Sequence, residues 1–309
     1  MEIYPKTLLE LERQFSTEEA CRDYIFRLRW PEGFRCPRCD NEKAWPIIKT
    51  NLFQCTKCDY KATVTAGTIF ESTRKPLTLW FRTIWWVVSQ KNGVSALGIK
   101  RIMGIGSYET AWTWLHKLRR AMVRPGRDQL TGAIEVDEMY IGGKKPGKRG
   151  RGASDKALVV IAAQIKGSHI GRIRLHRVTD ASASSLELAV QQAAQEGSLV
   201  QTDGWNGYGQ LNELGYKHEI IRKDADIGDN LLPRCHRIAA LFKRWLMGTH
   251  QGGINHEHLD YYLDEYTFRF NRRTSHHRGK LFYRLIQQAV VTKPSPYGQI
   301  VKGVRGLKS

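Results

Sequence analysis

Residues 132–143 read GAIEVDEMYIGG, and the fold follows from how this strand-like stretch is continued. KALVVIAAQI at 156–165 is a continuous apolar run of strand length, and GRIRLHRVTD at 171–180 alternates. SSLELAVQQAAQE at 184–196 has helical spacing, and SLVQTDGW at 198–205 is a short strand ending at an acid. Three strands, a helix and a fourth strand make a mixed α/β pattern. Asp137 lies inside the first strand, where a charge is costly unless something binds it. Asp203 closes the fourth, just before the turn Gly204-Trp205-Asn206-Gly207. If the first and fourth strands are neighbours, the two carboxylates face each other and repel unless a divalent cation is present. Oxygen ligands suit Mg2+ or Mn2+, and two such ions about 3.5 to 4 Å apart are the usual apparatus of in-line phosphoryl transfer. Each Asp alone also has an ordinary reading as a turn former. Glu138 points to the other face of the strand and is expected to be structural.

Upstream, Cys36, Cys39, Cys55 and Cys58 form C-x2-C, fifteen intervening residues, then C-x2-C. Two residues between thiolates let one tight turn aim both sulfurs at the same ion, and two such knuckles complete a tetrahedron around zinc. FRCPRCDN and FQCTKCDY look like copies, each with an aromatic before the pair and Asp after it. Two disulfides or a redox motif fit less well, because intracellular thiols stay reduced and a thioredoxin-like C-x-x-C is not duplicated this way. A closed four-thiolate site leaves no position for a reacting water, so the expected role is structural, with Arg35, Arg38, Lys43 and Lys57 turned to phosphates. Cys21 and Cys235 read as small buried hydrophobes.

Residues 8–29 read as helical, with Ser16 as N-cap of a second short helix. LTLWFRTIWWVVSQKNG after Pro76 suits a buried helix ending at Gly93. In 94–122 two helical stretches are broken at Gly104 and Gly106, the second running from Ser107 to about Met122. This is either a helix-turn-helix, with Trp112, Trp114, His116, Lys117, Arg119 and Arg120 on the helix offered to DNA, or an ordinary helical hairpin.

The chain has 309 residues and a formal net charge of +19, an excess too large for an average metabolic enzyme and one that favours a polyanionic partner. Its charges cluster at 117–127, 144–152 and 269–280. Nucleic acid is the expected partner, with Lys144, Lys145, Lys148, Arg149 and Arg151 among the contacts. No apolar run is long enough to span a bilayer and the N-terminus lacks a signal-peptide pattern, so a soluble, cytoplasmic and nucleoid-associated protein without a membrane partner is expected. His250, His256, His258, His276 and His277 have no ligand spacing to the cysteines and are not read as a second zinc site.

IEVDEMYIGGKKPGKRGRG, QTDGWNGY and the stretch from LPRCHRIAALFKRWLMG to FRFNRR resemble, in order and over nearly the whole chain, the insertion-sequence transposases of family fifteen ninety-five. The resemblance implies a zinc ribbon ahead of a DDE-type, ribonuclease H-like catalytic domain. It implies that Asp137 and Asp203 are the first two metal-binding acids. The third position in that family stands on a helix seven residues before a lysine and is Glu, Asn or His in different branches. Here it falls on His236, with Lys243 seven residues on and nearly two helical turns away, on the same face. Histidine is a poorer Mg2+ ligand than a carboxylate; His236 can bind through a neutral nitrogen, carry a proton or position water. Lys243 and Arg244 are then phosphate partners.

The expected organisation is therefore N-terminal helices and ribbon over 1–72, a helical DNA-binding region over 73–128 that is a helix-turn-helix in one of its two readings, the catalytic domain over 131–290 and a basic tail over 291–309. The implied activity is binding of terminal inverted repeats with metal-dependent cleavage and strand transfer, by a homo-oligomer on DNA, using structural Zn2+ and catalytic Mg2+ or Mn2+. Its rivals are a zinc-ribbon DNA-binding regulator or inactive transposase derivative without catalysis, and a nuclease that cuts without joining.

Overall fold

The computed structural model describes residues 4–123, 126–142, 156–222, 230–252 and 254–302. In chain order the elements are α1 Leu8–Gln14, α2 Glu18–Arg29, β1 Ala44–Ile47, β2 Leu52–Cys55, β3 Lys61–Ala62, α3 Leu77–Ser89, α4 Ala96–Ile102 and α5 Tyr108–Ala121. They continue as β4 Ala133–Ile141, β5 Ala157–Lys166, β6 His169–Val178, α6 Ala183–Ala193, β7 Leu199–Thr202, β8 Lys217–Ile220, α7 Pro233–His250, α8 Leu259–Asn271, α9 Arg278–Ala289 and α10 Tyr297–Val301. No helix among the described residues is long and apolar enough to cross a membrane.

The chain divides into two compact units, one of residues 1–124 with 275–309 and one of 125–274. A catalytic region extending to 290 is thus not how the chain groups: α9 packs with α2, α3 and α5. In this first unit Phe15, Tyr24, Phe81 and Phe282 meet with centroid spacings of 4.7 to 6.5 Å, and Trp80 stacks on Trp114 at 3.7 Å. The cap of α2 is Thr17, one residue later than expected, its hydroxyl accepting from Ala20 N at 3.2 Å. Glu18 caps a different helix. Pro76 offers α3 no side-chain acceptor, and the Glu18 carboxylate instead takes the N–H groups of Leu77 and Thr78, both at 2.9 Å. Gly279 is fixed by space, since a Cβ there would lie 1.7 Å from the Pro5 carbonyl oxygen.

α4 and α5 form the expected pair, with Gly104 at φ +63° in the turn and Ser107 capping α5. Burial corrects the recognition-helix reading. Trp114, His116 and Arg119 face the core of this unit, so of the six residues meant for DNA only Trp112, Lys117 and Arg120 are partly open.

The second unit holds a five-stranded sheet in the order β6-β5-β4-β7-β8. β4, β5 and β6 are antiparallel neighbours, while β4-β7 and β7-β8 are parallel. This mixed sheet, with first and fourth strands adjacent, is ribonuclease H-like. β8 had no sequence signal: four residues with only His218 and Ile220 below the level of strong polarity carry too little alternation to be read. Alternation along β4 sends Ile134 and Val136 to the face covered by α6, and Met139 and Ile141 to the face covered by α7 and α8. α7 buries Cys235, Ile238, Phe242 and Leu246 there, each worth roughly 1.5 to 3 kcal/mol for the larger apolar side chains. α8 finishes the edge: the Asn271 amide accepts from Ile173 N at 2.7 Å and donates to Ile173 O at 3.1 Å, pairing with β6 as a strand would.

Candidate functional site

Asp137 and Asp203 are brought level by strand register. β4 and β7 pair Glu135 with Gln201, so two residues further along each parallel strand the partners are 137 and 203. Adjacent strands lie roughly 4.8 Å apart. The charge of Asp203 is close enough to raise the pKa of Asp137. Burial is the largest cause of that rise, Glu138 adds to it, and a backbone hydrogen bond and His236 pull the other way; the carboxyl ends pushed up to about 6. Asp203 is exposed, and its Oδ1 accepts from Trp205 N at 3.1 Å, so the turn-former reading and a place in the site hold together. Gly204 makes the turn possible at φ +83°, where a Cβ would meet Ile220 at 2.7 Å.

α7 supplies the third side chain. His236 Nε2 lies 3.3 Å from Asp137 Oδ2, with the imidazole about half exposed and the carboxylate largely buried. Its Nδ1 lies 2.6 Å from Asn230 Oδ1. An amide oxygen accepts, so Nδ1 carries a proton and, in the neutral ring, Nε2 turns its lone pair toward an oxygen of Asp137. Two electron-pair donors at that distance need a proton or a cation between them. By donor type two carboxylates and one imidazole suit Mg2+ or Mn2+, but Asp137, Asp203 and His236 do not close to the mutual spacing of the four ribbon cysteines. Lys243 and Arg244 lie exposed further along α7, beyond His236 and Arg237.

One residue holding this arrangement together escaped the sequence reading. Glu135 is 2 % exposed. Its carboxylate accepts from Arg234 N at 2.7 Å, Cys235 N at 3.1 Å and Arg234 Nη1 at 2.7 Å. It therefore caps the start of α7, where Pro233 and the positive end of the helix favour an anion. It sits on the same face of β4 as Asp137, so one strand carries both the cap of α7 and a member of the site. Two acids at 135 and 137 on one strand face were the available signal. Cys235 is buried as expected, its thiol donating to Glu135 O at 3.3 Å. Glu138, on the other face, accepts from Tyr208 OH at 3.0 Å.

The ribbon is the second candidate site. The ligand atoms of Cys36, Cys39, Cys55 and Cys58 all lie within 4.8 Å of one another, the one such group among the described residues. Cys36 to Cys58 and Cys39 to Cys55 are 3.7 and 3.5 Å, close to the roughly 3.8 Å of a tetrahedron with Zn–S bonds of about 2.3 Å. The knuckles repeat in detail. In each the first Cys carbonyl accepts from the Asp four residues on, and that Asp, 40 or 59, has φ +62° or +55°. The residue before each first Cys then holds that Asp: Arg35 with Asp40 at 3.1 Å, Gln54 with Asp59 at 3.1 Å. Arg35 also pairs with Glu42 at 3.0 Å and so is tied up locally rather than offered to phosphates. Arg38, Lys43 and Lys57 are exposed. Burial works against ionising Cys55, yet the N–H groups of Lys57 and Cys58, the Cys39 thiol and the Asn41 amide bring it down to about 6.

Residues 16–61 match the transposase zinc-ribbon domain, and residues 129–271 match the ISXO2-like transposase domain. The chain carries a domain similar to the ISXO2-like transposases behind a transposase-type zinc ribbon. It is also 26% identical over 279 residues to an uncharacterized protein in transposable element ISH50 of Halobacterium salinarum, covering 83% of this chain and 92% of that protein. The transposase domain contains Asp137, Asp203, His236, Lys243 and Arg244, and the ribbon domain contains all four cysteines. The basic run Lys144, Lys145, Lys148, Arg149 and Arg151 falls within the transposase domain but outside the described residues. The cluster at 269–280 is in part structural. Arg269 pairs with Glu265 at 2.7 Å, Arg272 donates to Phe268 O, and Arg273 donates to Ile170, Gly171 and Phe270 carbonyls.

Proposed function

We propose that this chain is the transposase of an insertion sequence, which binds the element's terminal inverted repeats, hydrolyses a phosphodiester at each end and joins the freed 3′ hydroxyl to target DNA. The observation that carries this is the register that sets Asp137, midway along β4, beside the end of parallel β7 where Asp203 stands, with His236 of α7 3.3 Å from Asp137, in a ribonuclease H-like sheet. Asp137 and Asp203 would hold the divalent ions, Mg2+ or Mn2+, with His236 Nε2 as third ligand. When bound, such ions make water a stronger nucleophile and stabilise the leaving oxygen. Asn230 keeps the imidazole in the tautomer that leaves Nε2 free to bind or to accept a proton from water.

Lys243 and Arg244 hold backbone phosphates along α7, and the run from Lys144 to Arg151 adds non-specific grip. The ribbon uses zinc as a structural ion, and two copies of the chain bring two ends together. A protein with this task works in the cytoplasm on the nucleoid. Mg2+-dependent cleavage and joining of inverted-repeat DNA by the intact protein, lost in both Asp137→Ala and Asp203→Ala, is the expected outcome. An intact protein that binds those ends without cutting would instead be a regulator, and cleavage unaffected by both substitutions would remove the site assignment.

A further inference from the structure

The outer face of the ribbon is not used by anything described so far. Pro46, Phe53 and Ala62 pair across the three strands on the inner face, where Phe53 packs with Phe26, Trp30 and Phe34 at 5.0 to 6.0 Å. The other face therefore carries Trp45, opposite Gln54 and then Lys61, and Ile47 opposite Leu52. Trp45 is 69% exposed, and Ile48, at the tip of the hairpin, is 87% exposed. Large apolar side chains left this open on a small domain mark a contact surface.

What surrounds them identifies the partner. Lys43, Lys49, Lys57 and Lys61 are all exposed, and none takes part in an ion pair among the described residues. The nearby acids are already engaged, Asp40 and Glu42 by Arg35 and Asp59 by Gln54. Protein interfaces are depleted in lysine. An apolar tip ringed by unneutralised lysines instead suits duplex DNA, whose minor groove takes apolar wedges between base steps while cations meet the phosphates on either side.

We infer that the hairpin tip of the ribbon is a DNA wedge: Ile48 enters the minor groove and unstacks a base step, Trp45 lies against the groove wall, and Lys43, Lys49 and Lys61 hold the flanking phosphates. The zinc ribbon thereby bends DNA as well as holding it. This rests on the proposed action on DNA, but it assigns to a particular surface a deformation that cleavage does not require.

The test uses the full-length zinc-loaded protein and a mixed-sequence duplex of about 40 base pairs carrying 2-aminopurine and end-placed dyes for bending. Wild type raises 2-aminopurine fluorescence and shortens the end-to-end distance. W45A/I48A keeps its zinc, loses both signals and binds about tenfold more weakly, whereas Trp45→Phe retains them. The triple variant Lys43→Gln, Lys49→Gln, Lys61→Gln lowers the slope of log affinity against log salt by nearly three. Zinc-loaded variants that bind, bend and unstack as wild type does overturn the wedge while leaving the transposase reading intact. A change in self-association without any change on DNA would assign the face to a second copy and overturn it too. Wild-type protein that binds no duplex even at low salt removes both readings.

Discussion

The four sulfurs of the ribbon come from two copies of one local turn, whereas the acid site gathers a mid-strand residue, a strand end and a helical residue spread from 137 to 236. In the ribbon each ligand pair is fixed by its own knuckle hydrogen bonds, and only the short β1–β2 pairing and Asn41 join the two knuckles before a shared ion does. In the acid site the protein itself does the tying, through β4–β7 register and the Glu135 cap. The ribbon is therefore expected to depend on its ion more than the acid site does. The two should fail in different ways.

Removing zinc gives the largest effect. Structural zinc sites carry on the order of 10 kcal/mol of apparent binding free energy that is also folding free energy, and the ribbon's own hydrophobic base is four aromatic rings. A zinc-selective chelator, or Cys36→Ser, is expected to open the ribbon to limited proteolysis within 34–62 while fragments covering the sheet remain protected. If the ribbon stays protected after stoichiometric zinc release, its fold does not depend on the ion and the contrast collapses.

The acid site should instead break from within. Glu135→Ala leaves two N–H groups and the Arg234 guanidinium without their buried acceptor, a loss of about 3 to 5 kcal/mol. Glu135→Gln, which keeps shape and one acceptor oxygen, should cost less. In both, DNA cleavage falls further than DNA binding, and the metal concentration for half-maximal cleavage rises, because His236 no longer rests against Asp137. A lower melting temperature with unchanged metal dependence would make Glu135 a stabilising residue only.

Legibility in the sequence follows the same division. Ligands two residues apart are written next to each other, so the knuckles, the duplicated Asp and the ion class are visible in the bare string. Asp137 is visible as a charge in a strand that should not hold one, since the apolar residues around it can only be core, whereas Asp203, exposed past the end of β7, shows in the string only as the acid that opens a turn. Glu135 is invisible as a cap because its helix begins 98 residues later, at Pro233. α5 stays open between a helix-turn-helix and a plain hairpin in the bare string because Trp114, His116 and Arg119 have the composition of a nucleic-acid surface; their burial, with Trp114 stacked on Trp80 of α3, depends on tertiary contacts.

Asp137 gives a sign as well as a size. Its folded pKa lies above the ordinary 3.8, at about 6, so between those values the folded chain holds a proton the unfolded chain has released. Stability of the Mg2+-free protein should therefore fall as pH rises from about 4 to about 6, by up to about 3 kcal/mol. Asp137→Asn should flatten that profile. Mg2+ requires the ionised carboxylate, so its affinity should drop about tenfold per pH unit below 6. Denaturant melts of wild type and Asp137→Asn across this window check both, and parallel profiles would show that Asp137 is not the group titrating. The ribbon should show no matching loss there once zinc is bound.

The smallest expected effect tests whether the ribbon lacks an internal tie comparable to Glu135. Asn41 is the nearest equivalent, its amide donating to Lys43 O at 2.9 Å, Thr56 Oγ1 at 3.0 Å and Cys55 Sγ at 3.5 Å, and so linking the knuckles. It is partly exposed, however, and water can replace what it offers, so Asn41→Ala should cost only about 1 kcal/mol. Bound zinc holds Cys39 and Cys55 in place whether or not Asn41 is there. Zinc-release rates in competition with a chelator should rise severalfold at most, and the cleavage rate should not move. A loss as large as that of Glu135→Ala would mean that the knuckles, like the acid site, are assembled by the protein before the metal binds.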